Sequence, residues 1–159
     1  MALPPTWNLF GGDHIPHRLL LLARMLDRET ARMLQHEFAL TVAEWRVLAF
    51  LNSVGPSSAA DIGAAFESDR AEVSRAVARL TDGGLIVRAP DTANRKKMIL
   101  SPTPAGTAIF AEARQARQRY FQAILQDLSP EERGVFNASL HKIAERVALF
   151  RDKPDTLPQ

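Results

Sequence analysis

DRAEVSRAVARLTDGGLIVRAPDTANRKKMIL, Asp69–Leu100, is the stretch whose reading decides the fold. Its first half repeats at helical spacing. Val73, Val77 and Leu80, with Ala76 beside them, fall on one side of a helix. Ala71, Ser74, Arg75 and Ala78 fall on the other, flanked by Arg70 and Arg79. Asp69 is the N-cap, Glu72 completes a capping box, and Gly83–Gly84 stop the helix. The second half reads as a hairpin, with Leu85–Ala89 as one strand and Lys96–Ser101 as the return. Its polar tip sets Asp91 just ahead of Arg95, with Lys96 and Lys97 following.

Upstream, Thr41 with Glu44 and Ser58 with Asp61 each form a capping box, the first before a helix and the second before a short, alanine-rich one. Helix, short helix, helix and hairpin over residues 41–103 is the layout of a winged helix-turn-helix. The outer face of the third of these helices is small and basic. That suits a major groove about 12 Å wide, because alanine and serine let the backbone approach closely. Arg75 is the candidate for base edges, Arg70 and Arg79 for phosphates, and Ser74 for either. Arg95 at the fingertip suits the adjacent minor groove, oriented by a pair with Asp91, and Arg88, Lys96 and Lys97 add charge along the hairpin. The competing reading is an ordinary solvated face in which Glu72 pairs with Arg75 or Arg79. The short helix and basic hairpin beside it favour DNA.

Around this centre the chain is helical. Residues 1–13 read as an irregular arm containing Trp7 and Phe10. A first long helix starts near His14 and carries Ile15, Leu19, Leu22, Leu26, Met33 and Phe38. Thr103–Pro104 opens a fifth helix running to about Leu128, and Ser129–Glu132 opens a sixth with Val135, Phe136, Leu140, Ile143, Val147 and Phe150. Residues 152–159 read as a frayed tail. The fold class expected is mainly α with a small β-hairpin wing: a winged helix-turn-helix with long helices before and after it.

Composition bounds the function. With 159 residues, 46% hydrophobic and 24% charged, the chain can bury its own core. It has no cysteine, which excludes disulfides, thiolate nucleophiles and Cys-ligated zinc. A net charge of +2 argues little by itself, so the placement of the basic residues matters. The run Leu19–Leu22 is far too short to span a bilayer, and the N-terminus is a poor signal peptide, so a cytoplasmic location is expected. There is no Gly-rich phosphate loop and no nucleophile with a telling histidine partner; no enzyme, cofactor or metal site is expected.

Three pieces of the chain resemble the MarR family of bacterial transcription regulators: EWRVLAFL (Glu44–Leu51), DRAEVSRAVARLTDGGLIVR (Asp69–Arg88) and DTANRKKMILSPTPAG (Asp91–Gly106). The last departs from the family's LTxxG pattern by one extra residue or a shifted register. The resemblance implies a homodimer, with residues 14–40 and 104–151 as the dimerisation lobe and a pseudo-palindromic operator read by two recognition helices about 34 Å apart. It also implies a repressor released by a small molecule, often an aromatic acid or phenol, bound between the lobes. His14, His17, Arg18 and Trp45 are the candidates for that ligand. The alternative is a winged-helix DNA binder without an effector.

Overall fold

The computed structural model describes residues 3–92, 94 and 97–152. Among them lie six α-helices and a two-stranded antiparallel sheet: α1 (Ile15–Phe38), α2 (Val42–Ser53), α3 (Ala59–Ala65), α4 (Arg70–Asp82), β1 (Ile86–Pro90), β2 (Met98–Pro102), α5 (Pro104–Ile124) and α6 (Pro130–Asp152). The chain forms two compact units, one running to Gln115 and one starting at Ala116.

In the first unit the helix starts follow the caps. Thr41 Oγ1 accepts from the Glu44 amide (3.2 Å) and Glu44 Oε2 accepts from the Thr41 amide (2.7 Å). Ser58 and Asp61 exchange the same pair of bonds at 3.3 and 3.0 Å. At α4 the expected box is not formed. Asp69 Oδ1 alone accepts from the Ala71 and Glu72 amides, at 2.7 and 3.1 Å, so the cap is complete without a returning glutamate. The arm also differs from expectation, since Pro5–Asn8 form a 3-10 turn rather than irregular chain.

The core of this unit is the inner face of α4 set against α2 and the hairpin. Leu48, Leu51, Ile62, Leu80, Ile86 and Leu100 are all nearly inaccessible. Each such side chain contributes about 1.5–3 kcal/mol relative to leaving it in water. Val73, Ala76, Val77 and Leu80 are the buried residues of α4, so its inward stripe is the one read from spacing.

The strands are shifted from their expected ends. Leu85 is not in β1, because its amide closes α4 by donating to the Leu80 carbonyl (2.9 Å). The return starts at Met98, because the Lys97 amide is held in a turn by the Asn94 carbonyl (2.8 Å). Register runs Ile86 opposite Pro102, Arg88 opposite Leu100 and Pro90 opposite Met98. Ser57 adds a bridge to Leu100 on the far side of β2, with amide bonds of 3.1 and 2.9 Å, which anchors the wing to the α2–α3 turn.

Thr103 caps α5: its Oγ1 accepts from the Gly106 amide (3.1 Å) and donates to the Gly84 carbonyl (2.8 Å). Thr103 is thus the cap, with Pro102 ahead of it and Pro104 as the first helical residue. Gly106 is required by close approach, because a Cβ there would overlap the Leu85 carbonyl oxygen.

The second unit holds the end of α5 and all of α6. Helix α5 ends at Ile124, short of Leu128. The chain tightens there into three-residue turns, Leu125 to Gln122 (3.2 Å) and Leu128 to Leu125 (3.1 Å). The Arg133 guanidinium donates to the carbonyls of Leu125 (2.6 Å) and Leu128 (3.0 Å). Ser129 and Glu132 form the capping box of α6. Helix α6 leaves Val135, Phe136, Ile143 and Val147 exposed. The tail expected at 152–159 lies, beyond Asp152, outside the described residues.

Candidate nucleic-acid interface

The outer face of α4 is open. Arg70, Ala71, Ser74, Arg75, Ala78 and Arg79 are all exposed, so this face is made of short and cationic side chains, with Glu72 half-buried beside it. Between α3 and α4 lies a cleft of about 620 Å³ lined by Ala59, Ala60, Gly63, Ala64, Ser68, Arg70 and Ser74. Its walls are small because α3 is alanine-rich, so Arg70 and Ser74 project from a low shelf rather than from between bulky neighbours.

Arg79 is engaged differently from its neighbours. Its Nε donates to Glu44 Oε1 at 2.8 Å; the arginine side chain stays 59% exposed while that of Glu44 is only 6% exposed. The pairing of Glu72 with Arg75 or Arg79 weighed from sequence is not among the ion pairs of the described residues.

On the wing, Arg88 is exposed on β1 opposite Leu100. The Asp91 amide donates to the Lys97 carbonyl (2.8 Å), and Asp91 Oδ1 accepts from the Asn94 amide (3.1 Å). The expected partner, Arg95, and its neighbour Lys96 lie outside the described residues. Lys97 Nζ lies 3.3 Å from Asp61 Oδ2. Hydrogen bonds from the Ser58 hydroxyl and the Ser58 amide, then the bond to Lys97, pull the Asp61 carboxyl from 3.8 to about 2. Sequence reading missed both tertiary pairs, Arg79–Glu44 and Lys97–Asp61. The only hint was that each carboxylate also serves as a cap residue.

The residues considered for a ligand fall in two places. His17 Nε2 is 3.0 Å from the Thr6 carbonyl, and the Phe10 ring meets His17 edge-on at 4.8 Å and His14 tilted at 5.3 Å. Arg18 donates to Asn8 Oδ1 (2.7 Å) and the Trp7 carbonyl (3.4 Å) and lies over the Trp7 ring. These three residues therefore bind the arm to the start of α1. Trp45 instead stacks on Phe110 of α5, 5.3 Å between centroids at 22°, against the core. A separate open groove of about 540 Å³ runs along α1, lined by Pro4, Thr6, Leu21, Arg24, Met25, Asp27 and Arg28. Among the described residues no three His, Asp or Glu side chains gather as a metal site, and no helix is long and apolar enough to cross a membrane.

Helix, short helix, basic helix and anchored hairpin define a winged helix-turn-helix protein. Residues 40–97 match the model of the MarR family. The likeness to that family thus covers the winged helix-turn-helix part of the chain. It is similar to an uncharacterized HTH-type transcriptional regulator of Bacillus subtilis, YwoH, at 23% identity over 124 residues, covering 78% of this chain and 89% of that protein. Among solved structures, BpsR of Bordetella bronchiseptica, whose DNA binding is regulated by 6-hydroxynicotinic acid, superposes with a TM-score of 0.65 at 27% identity, covering 80% of this chain and 98% of that one. Apo MarR from E. coli shares the fold with a TM-score of 0.72 at 18% identity, over 90% of this chain and 98% of that one.

Proposed function

We propose that the chain is a homodimeric, sequence-specific repressor in the cytoplasm, released from a pseudo-palindromic operator by a small aromatic or phenolic ligand. The observation that carries the DNA-binding part is the outer face of α4: Arg70, Ser74, Arg75 and Arg79 stand exposed with Ala71 and Ala78 between them. Such a helix enters a major groove with its backbone close to the bases, so Arg75 reaches guanine while Arg70 and Arg79 meet phosphates. Arg88 and Lys97 add positive charge along the wing, Arg95 and Lys96 add to that charge by sequence alone, and Asp91 shapes the tip.

The dimer is supported by α6, where Phe136, Leu140, Ile143, Val147 and Phe150 recur at alternating steps of four and three. Of these Phe136, Ile143 and Val147 lie exposed in the single chain. A row of that kind on a soluble protein marks a contact surface. Release by a ligand is supported by the regulation of BpsR by 6-hydroxynicotinic acid, an aromatic acid. Mechanically the ligand need only favour a dimer whose half-site spacing fails to match DNA. A coupling of about 1–3 kcal/mol weakens binding roughly 5–150-fold.

Recovery of bound duplexes from a random pool, followed by release trials with a panel of aromatic acids and phenols, tests the reading. Enrichment of an inverted repeat and its release by a panel member are expected; failure to enrich any sequence overturns it. A second reading, a regulator with no effector, is favoured by one observation: His14, His17 and Arg18 are occupied by the arm, and Trp45 by Phe110. A melting temperature unmoved by every compound of the panel would select it.

A further inference from the structure

We infer that Glu44 is a positioning residue for DNA binding: it holds the Arg79 guanidinium at a fixed place on the outer face of α4, ready to meet a phosphate. The inference rests on the DNA-binding reading and deepens it. Glu44 belongs to the first turn of α2, and its carboxylate is used from both ends. Oε2 accepts the Thr41 amide at 2.7 Å, and Oε1 accepts Arg79 Nε at 2.8 Å. With its side chain only 6% exposed, the carboxylate has no freedom to follow a moving partner. Arg79 is 59% exposed, so the bond grips one edge of a planar group whose bulk faces solvent beside Arg75.

The physical consequence is pre-organisation. A free arginine on a helix surface samples many rotamers and loses them when it binds a phosphate. Arg79 has lost them in the folded protein already. The geometry is specific to arginine, because Nε takes the carboxylate while the guanidinium still has its terminal amines. Lysine offers a single point charge that can serve Glu44 or a phosphate, with no fixed fork. The carboxylate also offsets the charge of Arg79. The contact is therefore valuable for direction rather than for bare attraction.

The test measures affinity for a fluorescein-labelled duplex of random sequence at low ionic strength, since a phosphate contact is indifferent to sequence. Glu44→Gln keeps the size of the side chain and an oxygen for the Thr41 amide, but removes the charged acceptor facing Arg79. It should weaken binding about two- to twelvefold, the equivalent of freezing one rotamer-rich side chain. In an Arg79→Ala background the same change should have no further effect, and Arg79→Lys should bind little better than Arg79→Ala. Thermal melts check that each variant is folded.

Equal weakening by Glu44→Gln with and without Arg79 would assign Glu44 to the fold alone and overturn the inference. Tighter binding by Glu44→Gln would show that the carboxylate acts only as a repulsive charge, and would overturn it too. Should Glu44→Gln not fold, Arg79→Lys decides by itself: affinity equal to the unchanged protein overturns the inference. Failure of the unchanged protein to bind any duplex is a separate outcome, because it removes the DNA-binding reading itself.

Discussion

Lys97 Nζ lies 3.3 Å from Asp61 Oδ2, so the return arm of the wing is tied to the first turn of α3. Asp61 also accepts from the Ser58 hydroxyl at 2.6 Å, and these bonds hold its carboxyl at about 2 against an ordinary 3.8. A carboxyl depressed in the folded state stabilises the protein when ionised. Its contribution is complete above the unfolded value and disappears as pH falls through the folded one. Asp61→Asn should therefore melt below the unchanged protein at neutral pH, with the gap narrowing as pH drops from 3.8 to about 2. Melts followed by circular dichroism across that window check it; a constant gap would mean that the ionised form has no special role. Lys97→Ala should have the smaller effect, because the Ser58 hydroxyl is the larger cause of the shift.

Gly106 packs its bare Cα against the Leu85 carbonyl, which also accepts the Thr103 amide at 3.0 Å. At an open helical site Gly→Ala would stabilise by about 0.5–1 kcal/mol. Here the obstacle is backbone already held by another bond, so Gly106→Ala should destabilise by about 1–3 kcal/mol through overpacking. Urea denaturation gives the sign directly, and a gain in stability would show that the joint between wing and α5 can yield.

What the sequence made legible was local. Thr41 with Glu44 and Ser58 with Asp61 fix helix starts because the partners sit three residues apart, and both boxes form. The inward row of α4 follows from a period that needs no tertiary information. The partner of Arg79 did not follow, because Glu44 was already accounted for as a cap and the approach of α2 to α4 is a product of packing. The arm was read as irregular from its prolines and glycines. The actual turn, Pro5–Asn8, depends on His17 and Arg18 reaching back to Thr6, Trp7 and Asn8. Strand ends slipped because Leu85 had two possible roles, closing a helix or opening a strand, and the Leu80 carbonyl decides between them.

Arg75 has no carboxylate within salt-bridge distance among the described residues, unlike Arg79 on the same helix. Arg75→Ala should lower operator affinity by about 1–3 kcal/mol and relax the preference at one base position in each half-site. Arg70→Ala should instead weaken all sequences alike and reduce the salt slope by about one. Sequencing of duplexes bound by each variant separates the two. Uniform weakening by Arg75→Ala would reassign it to the phosphates.

Helix α6 exposes Ile143 by 37% and Val147 by 61% in the single chain. A charge placed at either site meets water in a monomer and a desolvated apolar seam in a dimer. Ile143→Glu with Val147→Glu should therefore leave helical content unchanged while light scattering reports a single chain. Operator affinity should fall about 100-fold or more, because two linked half-sites bind with an avidity that neither has alone. A variant that stays dimeric would put the contact on another surface. A monomer with undiminished affinity would break the link between pairing and operator recognition that the repressor reading requires.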